Sequence, residues 1–326
     1  NEGLKRVFQM GQSGSQGKER APADAQPVPQ GEVLPADLRK KAKYGLIGGS
    51  AVPVPEGLQK YYIQTPFGYV GGLCFIDKAQ DWIFISRHHC TRFKDDGSAD
   101  YAPPHAINFH ALVWALKDAG VQRVVAFGSA GSLHPDRIPV GSMLMPDDYF
   151  MAMPEAVTFW PHPALGAFAP EGDQIGRIHY TPAAKDDTVW VENRKVVQAA
   201  LNKAFADVKD TVNLCKDQTP ETWPCFGTTD VLDAPISTYV QTVGPRFETR
   251  SEIQHYARCG DVVGMTCGKE WALCNELLMP YVLVCTIENS CNGLSIHPEG
   301  ALQEYLDHKQ KVATVIKVVI RALTAS

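Results

Sequence analysis

The chain has 326 residues, 44% of them hydrophobic, which is ample material for one large core or two modest ones, and it reads as globular. Its formal charge is −5 and its 31 basic residues are scattered, so the positive stripe of a nucleic-acid binder is missing and a small-molecule ligand is expected instead. No apolar run approaches the roughly 18–20 residues that a membrane helix requires, and no signal-peptide pattern opens the chain, so no membrane partner is expected and the cytoplasm is the expected compartment.

Residues 1–43 differ from the rest. Gln, Pro, Gly, Ser and charged residues dominate, with little to bury, and a flexible N-terminal extension is expected there. From Tyr44 onward, short β-rich runs alternate with helical patterns. The runs are YGLI (44–47), VGGLCFI (70–76), WIFIS (82–86), RVVAF (123–127), GSMLM (141–145), ISTYVQTV (236–243), DVVG (261–264) and YVLVCTI (281–287). Ala106, Phe109, Val113 and Leu116 form a helical stripe closed by Gly120, and Ile253, Tyr256 and Ala257 form another closed by Gly260. Val312, Val315, Ile316, Val319 and Leu323 mark a long C-terminal helix that starts near Pro298. This alternation predicts one α/β domain over 44–326, with a mixed central β-sheet flanked by helices. Nine cysteines show no paired spacing. Cys259, Cys274 and Cys285 sit in apolar stretches, as buried reduced thiols do.

In such a domain ligands bind where strands end, and four strand ends carry polar or small residues. Ile47 runs into Gly48-Gly49-Ser50, either a structural turn or a small oxyanion site made of N–H groups and a hydroxyl. Ser86 runs into Arg87-His88-His89-Cys90. An arginine fork matches phosphate geometry and a neighbouring histidine adds a donor, although Arg87 paired with an acidic surface residue is an alternative. A metal site there is disfavoured because adjacent side chains on a strand diverge. Phe127 runs into Gly128-Ser129-Ala130-Gly131, read as a small-residue turn that lets a flat ligand or a phosphate approach, or simply packs under a helix. In TVGPRFETRSEI (242–253), Phe247 can stack on a base and Glu248 can accept from a purine N–H edge, or Glu248 can simply favour a helix N-terminus.

These pieces, with TPFG (65–68), INFHALVWALKDAG (107–120), GSAGSL (128–133), GPRFET (244–249), GMT (264–266) with Glu270, and the helix after Asn289, resemble in order and spacing the trimeric purine nucleoside phosphorylase and methylthioadenosine phosphorylase family. The likeness runs from about Tyr44 to the C-terminus. It implies phosphorolysis of a purine nucleoside to free base and a ribose 1-phosphate, with inorganic phosphate as co-substrate, no metal or organic cofactor, and a homotrimer. Ser50, Arg87, His88, Ser129, Thr266 and the backbone at Ala130 look like the phosphate ligands. Met265 looks like the ribose-packing residue, Phe247 the base-stacking one, and Glu248 with Asn289 the reader of the purine edge. His179 of a neighbouring subunit is expected to close the 5′ end.

Two departures set the expected specificity. Asn289 and Cys291 stand where methylthioadenosine phosphorylases carry aspartates, and Asn with Glu is the 6-oxopurine combination. Leu302 stands where a polar residue would meet a 5′ hydroxyl, with Tyr305 one turn on, and burying a hydroxyl without a partner costs about 1–3 kcal/mol. A 5′-methylthio nucleoside, methylthioadenosine or methylthioinosine, is therefore expected. The alternatives are a 6-oxopurine enzyme acting on inosine or guanosine, a nucleosidase that uses water, and a non-catalytic nucleoside-binding protein. GKE (268–270) replaces the family's common VPE.

Overall fold

The computed structural model describes residues 26–152, 155–160, 162–167, 188–213 and 237–325. Eleven strands form one sheet: β1 Glu32–Val33, β2 Tyr44–Gly48, β3 Tyr61–Thr65, β4 Gly68–Phe75, β5 Trp82–Ser86, β6 Arg123–Ser132, β7 Met143–Leu144, β8 Asp148–Met151, β9 Thr238–Gln241, β10 Val262–Gly264 and β11 Tyr281–Ser290. Their order is β1-β3-β4-β5-β2-β6-β10-β9-β8, with β11 on the other side of β6 and β7 beside it. Parallel pairs (β2 with β5 and β6, β6 with β11) coexist with antiparallel ones (β3 with β4, β6 with β10), so the sheet is mixed, as expected.

The central strands read as unbroken apolar runs because both faces are covered. All ten residues of β11 are buried. On one face lie α1 (Phe109–Asp118) and α4 (Cys267–Glu276), which pack Trp114, Leu116, Trp271 and Leu273 into the core. On the other lie α2 (Thr188–Val208) and α5 (Ala301–Thr324), which contribute Val197, Leu201, Ile316 and Val319. α1 starts where the Asn108 side chain accepts from the Ala111 N–H, and it ends before Gly120, whose φ of 95° suits a residue without Cβ. α3 (Arg250–Tyr256) opens with a capping box between Thr249 and Glu252. No helix among the described residues is long and apolar enough to cross a membrane.

Three expectations change. The packed chain begins before Tyr44. β1 pairs with β3, the Leu34 N–H donates to the Tyr62 carbonyl, and Leu34 and Ala42 are each only 1% exposed. Averaging composition over 43 residues hides these two anchors, which need only an existing sheet edge to dock on; residues 1–25 lie outside the described residues. Second, Gly128-Ser129-Ala130-Gly131 is not a turn but the continuation of β6, paired along its length with β11. Third, Cys259 is partly exposed, because it follows α3 at a chain reversal, where its thiol donates to the His255 carbonyl. Cys74, Cys90, Cys267, Cys274, Cys285 and Cys291 are buried free thiols. Cys215 and Cys225 lie outside the described residues.

Candidate active site

The extra length of β6 creates the site. Residues 123–126 pair with β2, while Gly131 and Ser132 pair with β10 on the same side, β11 occupying the other. The two neighbours therefore part around residues 127–130, and a cavity of about 350 Å³ opens there, within the size range of small-ligand sites. Ser50, beyond β2, and Arg87 and His88, beyond β5, line one wall. Ser129 and Ala130 form the floor, and Met265 and Thr266, beyond β10, face them. Phe247 and Glu248 lead into α3, Asn289 and Cys291 come from the end of β11, and Leu302 and Tyr305 come from the first turns of α5. Apart from His179, which lies outside the described residues, every residue given a binding role in the sequence lines this one cleft, while His89, Cys90 and Gly128 beside them do not.

At the polar end Arg87 is only 1% exposed and largely occupied. Its Nε and Nη2 donate to the two carboxylate oxygens of Glu270 at 2.6 and 2.7 Å, and its Nη1 donates to the Phe127 carbonyl at 2.8 Å. A Cβ at Gly49 would stand 2.7 Å from both Nη1 and that carbonyl, so glycine is what admits the guanidinium. The Tyr281 hydroxyl also donates to Glu270. Arg87 is thus paired, but with a buried carboxylate 183 residues away and not with the surface acid that the alternative supposed, and the hydrogens left on Nη1 and Nη2 are what it can still offer an anion.

Hydroxyls line the rest of this end. Ser50 Oγ lies 3.1 Å from Ser129 Oγ and 3.3 Å from the Tyr305 hydroxyl. Thr266 is the N-cap of α4 but its side chain makes no capping bond; its hydroxyl meets Cys267 Sγ at 3.5 Å and lies beside the positive end of the helix dipole. His88 Nδ1 sits 2.9 Å from the Ala102 carbonyl and must donate to it. Burial, ahead of the repulsion from Arg87 and His89, pulls its pKa from 6.5 to about 4. The ring is therefore neutral, and its Nε2 is an acceptor suited to a protonated phosphate oxygen or a sugar hydroxyl.

The opposite end suits a planar, hydrogen-bonding ligand. Phe247 is 38% exposed and meets Tyr305 edge-on at 6.3 Å. Glu248 is buried, its Oε1 accepts from the Thr242 hydroxyl at 2.6 Å, and burial raises its carboxyl pKa against that bond. Asn289 and Cys291 stand together over Gly131, where a Cβ would lie 2.8 Å from Asn289 Oδ1 and 2.9 Å from Cys291 Sγ. Burial also raises the Cys291 thiol, keeping it neutral. Leu302 sits at the rim, 56% exposed.

Sequence reasoning missed several neighbours. Tyr101 lines the cleft and stacks on His88 at 5.2 Å, with Pro103 and Pro104 beside it, yet these residues lie in a loop and at the start of the 3-10 turn that follows it, far from any strand end. Thr242 had a usable signal, a polar residue directly after an apolar run, but only the fold shows that it buttresses Glu248. Lys269, in GKE, is nearly buried, with its ammonium 5.5 Å from the Phe109 ring centre.

Comparison with known proteins places the fold and the family. Residues 43–325 match the family model described as phosphorylase superfamily. A probable S-methyl-5′-thioinosine phosphorylase of Methanocaldococcus jannaschii is 28% identical over 84% of this chain and 90% of its own length. A 6-oxopurine nucleoside phosphorylase of Pyrococcus furiosus is 27% identical over 86% and 92%. Among solved structures, methylthioadenosine phosphorylase from Schistosoma mansoni in complex with tubercidin has the same fold, with a TM-score of 0.61 and 21% identity over 87% of this chain and 91% of that one. With a cleft assembled from strand ends in the order anticipated and a model match over nearly the whole chain, this protein belongs to the phosphorylase superfamily.

Proposed function

We propose that the protein is a pentosyltransferase that cleaves purine nucleosides with inorganic phosphate, breaking the C1′–N9 bond, forming a C1′–O bond and releasing the free base. The observation that carries this reading is the two-ended cleft, with Arg87, Ser50, Ser129 and Thr266 at one end and Phe247, Glu248 and Asn289 at the other. Positive charge develops on the ribosyl group as the base departs, and an anion held beside C1′ both stabilises that charge and attacks it. Fixing the anion and the nucleoside in one cavity makes the encounter effectively intramolecular. The leaving base gains electron density, which hydrogen bonds from Asn289 near N7 and O6 stabilise. No metal or organic cofactor has a role in this chemistry.

The preferred substrate in this reading is a 5′-methylthio nucleoside, with a 6-oxo base ahead of a 6-amino one. Thr242 occupies Glu248 Oε1 and leaves Oε2 to accept a purine N1–H, which 6-oxopurines carry and adenine lacks. Pro103, Pro104 and Leu302 supply an apolar flank for a thioether. The same reading makes the protein a cytoplasmic homotrimer in which a neighbour closes the rim at Phe247 and Leu302; light scattering after size exclusion tests the stoichiometry. The deciding experiment is base release from methylthioinosine, methylthioadenosine, inosine and adenosine, with and without phosphate. Cleavage only with phosphate, fastest for methylthioinosine, is expected. Cleavage by water alone would make the protein a nucleosidase, and tight binding without turnover a nucleoside-binding protein.

A further inference from the structure

Glu288 lies outside every role given so far, and its surroundings are unusual. It is fully buried (0% exposed) on β11, between Asn289 and Ile287. The register against β6 slips at this point: Ile287 pairs with Ala130 and Asn289 with Gly131, so Glu288 is the extra residue of a β-bulge, a feature that re-aims a side chain and concentrates near active sites. The Thr286 hydroxyl donates to its Oε1 at 2.8 Å, while Oε2 has no hydrogen-bond partner. Ser129 is close enough to act on the carboxyl, and burial raises its pKa against the opposing effects of Ser129, Thr286 and Lys309. Ser129 in turn bonds Ser50, which reaches Tyr305. A buried carboxyl thus stands at the end of a hydroxyl chain that runs along the anion end of the cleft.

The charges around it leave little to offset an ionised carboxylate. Arg87 is neutralised by Glu270, and His88 is uncharged. β6 presents the Ser129 hydroxyl and β11 that of Thr286. From α5, the Lys309 ammonium acts on Glu288 and lies 5.7 Å from the Tyr305 ring centre. An ionised Glu288 would draw the Ser129 hydrogen toward itself, turn the Ser129 lone pairs on an incoming anion and add a negative charge behind them. A neutral Glu288 can donate to Ser129 Oγ, freeing the Ser129 hydrogen for the anion.

We propose that Glu288 is the proton switch of the anion cleft: the site takes an oxyanion when Glu288 carries a proton, and the direction of the Ser129 hydroxyl transmits its state. This rests on the anion-binding reading of the cleft given above. The test uses sulfate, which stays dianionic from pH 6 to 9, as the probe, measured by calorimetry in buffers of different ionisation enthalpy. Sulfate affinity of the unmodified protein is expected to fall about tenfold per pH unit above the Glu288 pKa, with uptake of one proton on binding. Glu288→Gln, a fixed neutral amide, should bind sulfate with one proton fewer and a pH profile shallower by the same one unit of slope, so that any slope left in the variant belongs to another group such as His88. Sulfate binding by the unmodified protein with no pH dependence and no proton uptake over this range overturns the switch while leaving the anion cleft intact, and this result needs no variant to fold. No sulfate or phosphate binding at any pH overturns the anion-cleft reading itself, and the switch with it.

Discussion

Arg87 and Glu270 form a fully buried bidentate pair, and such pairs contribute through what happens when one partner is lost. Arg87→Met leaves the Glu270 carboxylate in the core with only Tyr281 to satisfy it, so urea denaturation is expected to show a loss of about 3–5 kcal/mol. The double variant Arg87→Met/Glu270→Leu should recover much of that stability and still fail to bind phosphate, which separates the structural role of the pair from its role toward the anion. His88 makes a second prediction. Its folded pKa is depressed from 6.5 to about 4, so the stability gained from keeping it neutral is present above pH 6.5 and is lost as the pH falls toward 4, since the unfolded chain binds the proton first. The full loss is on the order of 3 kcal/mol, and a His88→Phe variant should lose correspondingly less between pH 7 and pH 4.5 in chemical denaturation.

At the scale of elements, the cleft exists because β6 outruns β2 and β10, the two strands that share one of its sides. Had β2 run the full length, residues 127–130 would be paired on both sides and Arg87 would have no carbonyl to hold. α3 is the element most exposed to a local test. It is seven residues long, its Thr249–Glu252 capping box satisfies two backbone donors, and Phe247 and Glu248 sit immediately before it. Thr249→Ala should lower stability by about 1 kcal/mol. Because fraying moves Glu248, the KM for nucleoside should rise several-fold with kcat less affected, which steady-state kinetics reads directly.

For the whole molecule, the segment before β2 is part of the packed structure. Leu34 belongs to the same buried core as Ile63 and Val70, and Lys40 donates its N–H to the Ala119 carbonyl beyond the end of α1. Leu34→Ala is expected to cost about 2–5 kcal/mol and to lower the thermal midpoint, because the cavity cannot be filled from an edge strand held by backbone bonds. An unchanged midpoint would mean that the segment only rests on the surface.

Much of this protein was legible along the chain because strands and helices leave local marks. The apolar runs at 44–47, 82–86, 123–127 and 281–287 lie in the central strands, and the small and polar residues after them line the cleft. That Ser50, Arg87 and Phe247 line one cavity followed from the rule that α/β sheets bind ligands at strand ends, whereas Asn289 was placed with them only by the family resemblance. Tertiary structure alone decided the rest. Gly128 to Gly131 look like a turn because propensity counts glycine as a breaker, whereas the β11 ladder, formed 158 residues away in sequence, holds them extended. The partner of Arg87, the bulge that sets Glu288 apart, and the docking of Leu34 all depend on contacts between distant segments. No local pattern encodes such contacts; they are fixed when the buried faces of the sheet and helices close on one another.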